Sequence, residues 1–244
     1  ALVPFFADIP RRTGFLGEMR YGLLNDIRKL DKKVLKTTPQ RFVALAEDSP
    51  TPTANVRVPQ PHFIVDTANS GELLQKMGLD GTRMAIGLMP GAEYGPAKQW
   101  PAEYYAELAK KLAEDNIQSW VFGSAKEQPL GEKIRELSGG AAINLCGKTM
   151  LTEVVDLAAR CLAVVSNDSG PMHIAAAAGV PVVAIYGSST PDFTPPLTQA
   201  KAVQYLRLSC SPCFERTCPL GHYNCLRQIA PADVRASLKQ LIGL

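Results

Sequence analysis

From about residue 83 onward, short apolar runs alternate with segments whose apolar positions recur three and four apart. Residues 84–89, Met-Ala-Ile-Gly-Leu-Met, form a run of strand length that stops at Pro90-Gly91. After Trp100-Pro101, where proline suits the first turn of a helix, Tyr104, Tyr105, Leu108, Ala109 and Leu112 repeat at helical spacing. Residues 119–122 read as the next strand, 127–137 as a polar helix and 142–145 as a third strand. A helix starting at Thr152 buries Val155, Leu157, Ala158 and Leu162. Two further strands, 163–166 and 182–186, flank a small-residue helix at 171–178 that Gly179 closes. Val234, Leu238, Leu241 and Ile242 mark a closing helix over 231–244. Strands apolar on both faces and separated by helices predict an α/β fold with a parallel sheet covered on both sides. Ligands of such sheets bind beyond the carboxyl ends of the strands.

The first 75 residues follow a different pattern. Residues 1–6 suit the end of a helix, 12–16 a strand, 21–30 are mixed, and 47–61 are rich in Pro, Thr and Asp like a linker. This is too little for an independent core. The expected organisation is therefore 1–75 as the remnant of an earlier domain with its linker, and 76–244 as a complete domain. The chain begins with Ala rather than Met, which fits an internal start.

Composition narrows the function. Of the 244 residues 46% are hydrophobic and 20% charged, and Lys+Arg 26 against Asp+Glu 23 leaves a net charge of +3. So small a surplus argues against a nucleic-acid partner. No apolar run approaches the ~18 residues that suggest a membrane span, and the opening lacks the basic start of a signal peptide. The expected location is cytoplasmic. Arg11, Arg12, Arg20, Arg28, Lys29, Lys32, Lys33 and Lys36 form a basic cluster, either a solvated surface or a site for an anionic acceptor.

Three segments placed just after strands carry candidate chemistry. Residues 166–173, Ser-Asn-Asp-Ser-Gly-Pro-Met-His, join a strand to a helix. Asp168 or Ser169 can cap that helix, and its first N–H groups with the dipole's positive end suit a diphosphate. Gly170 permits close approach, and His173 lies on the first turn. Residues 89–101 form a glycine-containing loop with Lys98 just before a helix, where a point charge can neutralise phosphate. The loop does not fit the spacing of a Walker P-loop. Glu127, after Gly123-Ser124, can accept hydrogen bonds from ribose hydroxyls, although helix starts carry Glu for dipole reasons too.

The stretches PGAEYGPAKQWP, VSNDSGPMHIAAAAGVPVVAIYGSSTPDFTPPL and ALVPFFADIPRRTGFLGEMRYGLLND resemble glycosyltransferase family 9, the heptosyltransferases of lipopolysaccharide core synthesis, and its type II members most. The resemblance implies a GT-B fold, with a complete C-terminal Rossmann-like domain and a remnant of the N-terminal one. It implies an inverting transfer, without metal or cofactor, of L-glycero-D-manno-heptose from ADP-heptose. The acceptor implied is the first heptose of heptosyl-Kdo2-lipid A at the membrane surface, which makes a peripheral location at the inner membrane a natural extension. Type I and later core heptosyltransferases are the near alternative. By this resemblance Lys98 meets the diphosphate and steadies the departing charge, Glu127 the ribose, and Met150 the adenine. Asp168, Ser169 and Gly170 hold phosphates and sugar, with His173 beside them. The family's general base, an aspartate early in the first domain, is expected to be absent from this chain, which leaves a nucleotide-binding module without transfer activity as a second reading. A nicotinamide oxidoreductase predicts G-x-G-x-x-G after the first strand, and the chain has none.

Six cysteines remain. Cys146 and Cys161 sit in apolar surroundings and suit the core. Cys210, Cys213, Cys218 and Cys225 are spaced C-x2-C-x4-C-x6-C with His222 among them, which admits a structural zinc, disulfides or unliganded thiols.

Overall fold

The computed structural model describes residues 1–48 and 56–244, so part of the expected 47–61 linker lies outside the described residues. The chain forms two compact units, one of residues 1–59 with 192–195 and one of residues 60–191 with 196–244.

In the first unit α1 (Leu2–Phe6) precedes two short parallel strands, β1 (Thr13–Phe15) and β2 (Asp26–Arg28), and α2 (Thr38–Ala46). Thr37 caps α2 through a reciprocal pair with Gln40, a start signal the sequence reading passed over. Buried Arg28 bonds Asp26 at 3.0 Å and the Ala44 carbonyl at 2.7 Å, so strand and helix share one guanidinium. Arg28, Thr13 and Arg11 together hold the Asp26 carboxyl down to about 2. The basic cluster is thus partly committed internally. Arg11 bonds Asp26 and Asp48, Arg12 the carbonyls of Leu23 and Ile9, and Arg20 those of Gly17 and Phe15.

The second unit runs α3 (Thr67–Met77), β3 (Ala85–Met89), α4 (Ala102–Glu114), β4 (Gln118–Val121), α5 (Gln128–Leu137), β5 (Ala142–Asn144), α6 (Leu151–Ala158), β6 (Ala163–Asn167), α7 (Gly170–Ala177), β7 (Val182–Ile185), β8 (Lys201–Gln204), α8 (Asn224–Arg227) and α9 (Pro231–Ile242). The six strands form one parallel sheet in the order β5-β4-β3-β6-β7-β8. Renumbered from one, this is the doubly wound order 3-2-1-4-5-6, whose direction reverses between β3 and β6. Every residue of β3, β4, β6 and β7 is buried, and β3 and β7 accordingly read as continuous apolar runs. One core packs around α4 and α9, and the other contains Leu73 and Leu74 of α3, Leu157 of α6 and Met172 of α7.

Besides α2 and the short α8, the sequence reading did not anticipate β8 and α3. The edge strand β8 alternates exposed and half-buried residues and carries no apolar run. Helix α3 straddles the boundary expected at 75/76, yet it belongs with the second unit. Asp156 on α6 accepts from the Asp66 amide at 2.8 Å and from Asn69 at 2.6 Å. Trp100 ties the segment before α4 to the C-terminal part. Its fully buried indole donates to the Ile229 carbonyl at 2.9 Å and meets Tyr105 edge-on at 4.8 Å. Replacing Trp100 by Ala is expected to lower the unfolding free energy by about 3–5 kcal/mol, read from the shift of a urea transition.

Candidate functional site

The segments that follow β3, β4, β5, β6 and β7 carry the candidate residues, and the structure brings several of them together. Lys98 ends a short 3-10 turn (Pro96–Lys98), and its ammonium lies 2.6 Å from the Asp168 carboxylate. The lysine side chain is 17% exposed and the aspartate 4%, so the pair is nearly out of water. Ser189, after β7, donates a short hydrogen bond to the same carboxylate oxygen. These contacts sit where the sheet reverses its order, the place such sheets reserve for ligands.

The neighbouring Asn167, the last residue of β6, fixes this geometry. It is fully buried. Its amide oxygen accepts from the Trp100 backbone and the Tyr105 hydroxyl, each at 3.1 Å, and its nitrogen donates to the Pro90 carbonyl at 2.7 Å. One side chain thereby grips both ends of the loop that bears Lys98. Burial raises the Tyr105 pKa strongly, so its hydroxyl stays a donor.

The expected helix cap is not made. Ser169 occupies the N-cap of α7 with extended backbone, but its hydroxyl turns back to the Asn167 carbonyl at 3.3 Å and makes no capping bond. Asp168 is engaged by Lys98 and Ser189 instead. A side-chain cap would consume donors at the helix start, and here the carboxylate is drawn to an ammonium. Gly170 is exposed, and a Cβ there would meet nothing within 4 Å. His173 is half-buried on α7. Burial pushes its pKa below the usual 6.5, and Asp168 and Lys98 are near enough to act on it with opposite signs.

Glu127 is anchored by accepting from the Ser124 amide at 2.6 Å, and it lies over Gly91. A Cβ at position 91 would sit 1.6 Å from its carboxylate oxygen, so the glutamate can hold this position only while residue 91 is glycine. Met150 is 67% exposed at the start of α6, beyond the neighbouring strand β5. Tyr94, Asn167, Tyr105 and Ser189 are the residues that sequence reasoning left out. Tyr94, Asn167 and Ser189 stood inside the stretches singled out, whereas Tyr105 was read only as an apolar position of a helix.

Cys146 and Cys161 are buried, as expected. Cys210, Cys213, Cys218 and Cys225 are all free thiols, which excludes the disulfide reading in this structure. Among the described residues no three His, Cys, Asp or Glu side chains are arranged to hold a metal ion. Backbone N–H groups, that of Tyr223 foremost, lower the Cys218 pKa, whereas burial, aided by the other three cysteines, raises that of Cys225.

If Asn167 governs the loop, Asn167→Ala must leave the Trp100 amide, the Tyr105 hydroxyl and the Pro90 carbonyl without it. The expected loss of unfolding free energy is about 3 kcal/mol or more in a urea titration, and a loss below about 1 kcal/mol contradicts the assignment.

A family model described as "Glycosyltransferase family 9 (heptosyltransferase)" matches residues 1–224. Lipopolysaccharide heptosyltransferase 2 of Salmonella typhimurium is 43% identical over 251 residues, an alignment covering 100% of this chain and 72% of the relative. The Escherichia coli protein of the same name is 42% identical, with 99% and 72% covered. The solved structure of E. coli ADP-heptose lipopolysaccharide heptosyltransferase II superimposes with a TM-score of 0.84 at 43% identity, over 99% of this chain and 72% of that one.

Proposed function

The chain belongs to glycosyltransferase family 9, the heptosyltransferases, and on that premise we propose that its strand-end mouth binds ADP-heptose for transfer of the heptose to the lipopolysaccharide inner core. The fold is that of the GT-B glycosyltransferases. The acceptor in this reading is the first heptose of heptosyl-Kdo2-lipid A. That acceptor is lipid-anchored, so the enzyme works at the cytoplasmic surface of the inner membrane. No helix among the described residues is long and apolar enough to cross it.

The observation that carries the reading is the Lys98–Asp168 pair beside the uncapped start of α7. In the transfer the anomeric carbon exchanges its bond to the β-phosphate oxygen for one to an acceptor hydroxyl oxygen, whose proton passes to a general base. Negative charge grows on the departing ADP. Lys98, already positioned, and the first N–H groups of α7 face that charge without needing to reorganise, which is how fixed dipoles and charges lower a barrier. Asp168 aims the ammonium, and Ser189 steadies Asp168. Gly170 leaves room for the phosphates and sugar, Ser169 lines their approach, and half-buried His173 stands beside them. Glu127 takes the ribose hydroxyls, and Met150 offers an apolar edge to adenine.

Lys98→Met keeps the aliphatic stem and removes the charge. ADP affinity measured by calorimetry is expected to fall by about 10- to 100-fold. Unchanged affinity in a folded variant sinks the placement of the diphosphate. Gly91→Ala is expected to push the Glu127 carboxylate aside and to weaken ADP binding by about tenfold. Because Glu127 is half-exposed, its urea midpoint should stay close to the parent's. A midpoint that drops with affinity intact points to a purely structural glutamate.

A further inference from the structure

Arg216 lies in the segment that follows β8, and its own backbone is fastened to the Lys98 loop. The Arg216 carbonyl accepts from the Ala97 amide at 3.0 Å. Gly95 lies so close beneath it, at φ 148, that a Cβ there would come within 2.5 Å of that carbonyl oxygen. Tyr94 bonds the Phe214 carbonyl through its hydroxyl, and the Phe214 amide bonds Ser188 after β7 at 2.7 Å. The Ser211 hydroxyl donates to the Gly187 carbonyl at 2.6 Å. Two strand-end loops thus hold this segment at the mouth of the sheet.

The Tyr94 ring is shared by two cations. The Lys98 ammonium lies 5.0 Å from its centroid and the Arg216 guanidinium 5.3 Å. A ring face attracts each cation, but the cations still repel one another. Asp168 offsets one positive charge, that of Lys98. Among the described residues no carboxylate pairs with Arg216, and nearby Glu93 is engaged with Lys126 at 3.7 Å. The Lys98, Asp168 and Arg216 side chains together therefore carry a surplus positive charge, with the arginine exposed next to a fixed lysine. That arrangement is poised for an anion with several negative oxygens, and a guanidinium fork matches phosphate with two parallel bonds.

We propose that Arg216 is a second cation of the donor site, closing on the β-phosphate of the nucleoside diphosphate opposite Lys98. The proposal rests on the reading that Lys98 meets that diphosphate. With Asp168 drawing on Lys98, a further positive charge balances what the departing ADP accumulates. Arg216 is the side chain placed to supply it, and Tyr94 sets its starting position.

The test is calorimetric titration of the whole chain with ADP and with AMP, which lacks the β-phosphate, for the parent, Arg216→Ala, Arg216→Lys and Lys98→Met. Arg216→Ala is expected to lose about tenfold in ADP affinity, to keep its AMP affinity, and to show a shallower dependence on salt. Arg216→Lys should recover part of the loss. The urea midpoint of Arg216→Ala should match the parent's, because the side chain is exposed. ADP affinity unchanged in Arg216→Ala while Lys98→Met is weakened overturns the role of Arg216 and leaves the donor site standing. Equal losses for ADP and AMP also overturn it, since the arginine then acts away from the β-phosphate. No weakening in Lys98→Met, or no ADP binding by the parent, overturns the donor-site reading and this inference with it.

Discussion

The Asn167 side chain carries an acceptor and donors into a space closed to water, and the mouth of the sheet is assembled around it. A buried polar group must find partners, or it costs much of what a hydrogen bond contributes. Here the partners are the Pro90 carbonyl at one end of a loop and the Trp100 amide at the other, with Tyr105 adding a third. Because the backbone of Asn167 is the last rung of β6, the loop after β3 is measured against its neighbouring strand. Lys98 and Asp168 then meet as a consequence. Neither an aspartate, which lacks the donor, nor an aliphatic residue, which lacks both functions, meets the same three demands.

The Lys98–Asp168 pair gains little as a stabilising device. Two charges taken almost wholly out of water surrender hydration that their mutual attraction only roughly restores. A pair so placed is better understood as a positioned charge, since buried ionisable groups gather where chemistry is done. The surroundings agree. Ser189 binds the aspartate from β7, Tyr94 places its ring against the lysine, and His173, made less basic by burial, adds no competing full charge near neutral pH. Each of these comes from a different segment, so the lysine is held from several directions at once.

Much of the second unit was legible because its strands are buried on both faces and its helices are amphipathic. The runs at 84–89, 163–166 and 182–186 became β3, β6 and β7 within a residue or two at their ends. What stayed hidden depends on contacts between distant segments. The edge strand β8 is recognised by its pairing with β7, not by its own alternating residues. Helix α3 is assigned to its unit by Asp156, some ninety positions along the chain. The motif around Asp168 was found correctly as a strand-to-helix turn, but its local rule, a side-chain cap, lost to a non-local one. An ammonium seventy residues away binds the carboxylate more strongly than a backbone amide can. The same holds for Gly91, which looked like an ordinary loop glycine until Glu127 lay across it.

The order of strands gives the donor reading a geometrical logic that no single residue supplies. Met150 follows β5, Glu127 follows β4, Lys98 follows β3, Asp168 and Gly170 follow β6, and Ser189 follows β7. Neighbouring strands stand about 4.8 Å apart, so these residues are set out in steps along the top of the sheet. Sequence order along the chain is scrambled relative to that line, because the sheet winds outward in both directions from β3 and β6. Adenine, ribose, diphosphate and heptose are joined in the same order as the apolar edge, carboxylate, ammonium, open glycine and hydroxyl that the line presents. On the proposed reading, a nucleotide sugar laid across the sheet meets its chemical complements in register. In the proposed reading the diphosphate, the part whose charge changes most during transfer, lies at the reversal point, beside Lys98 and the start of α7.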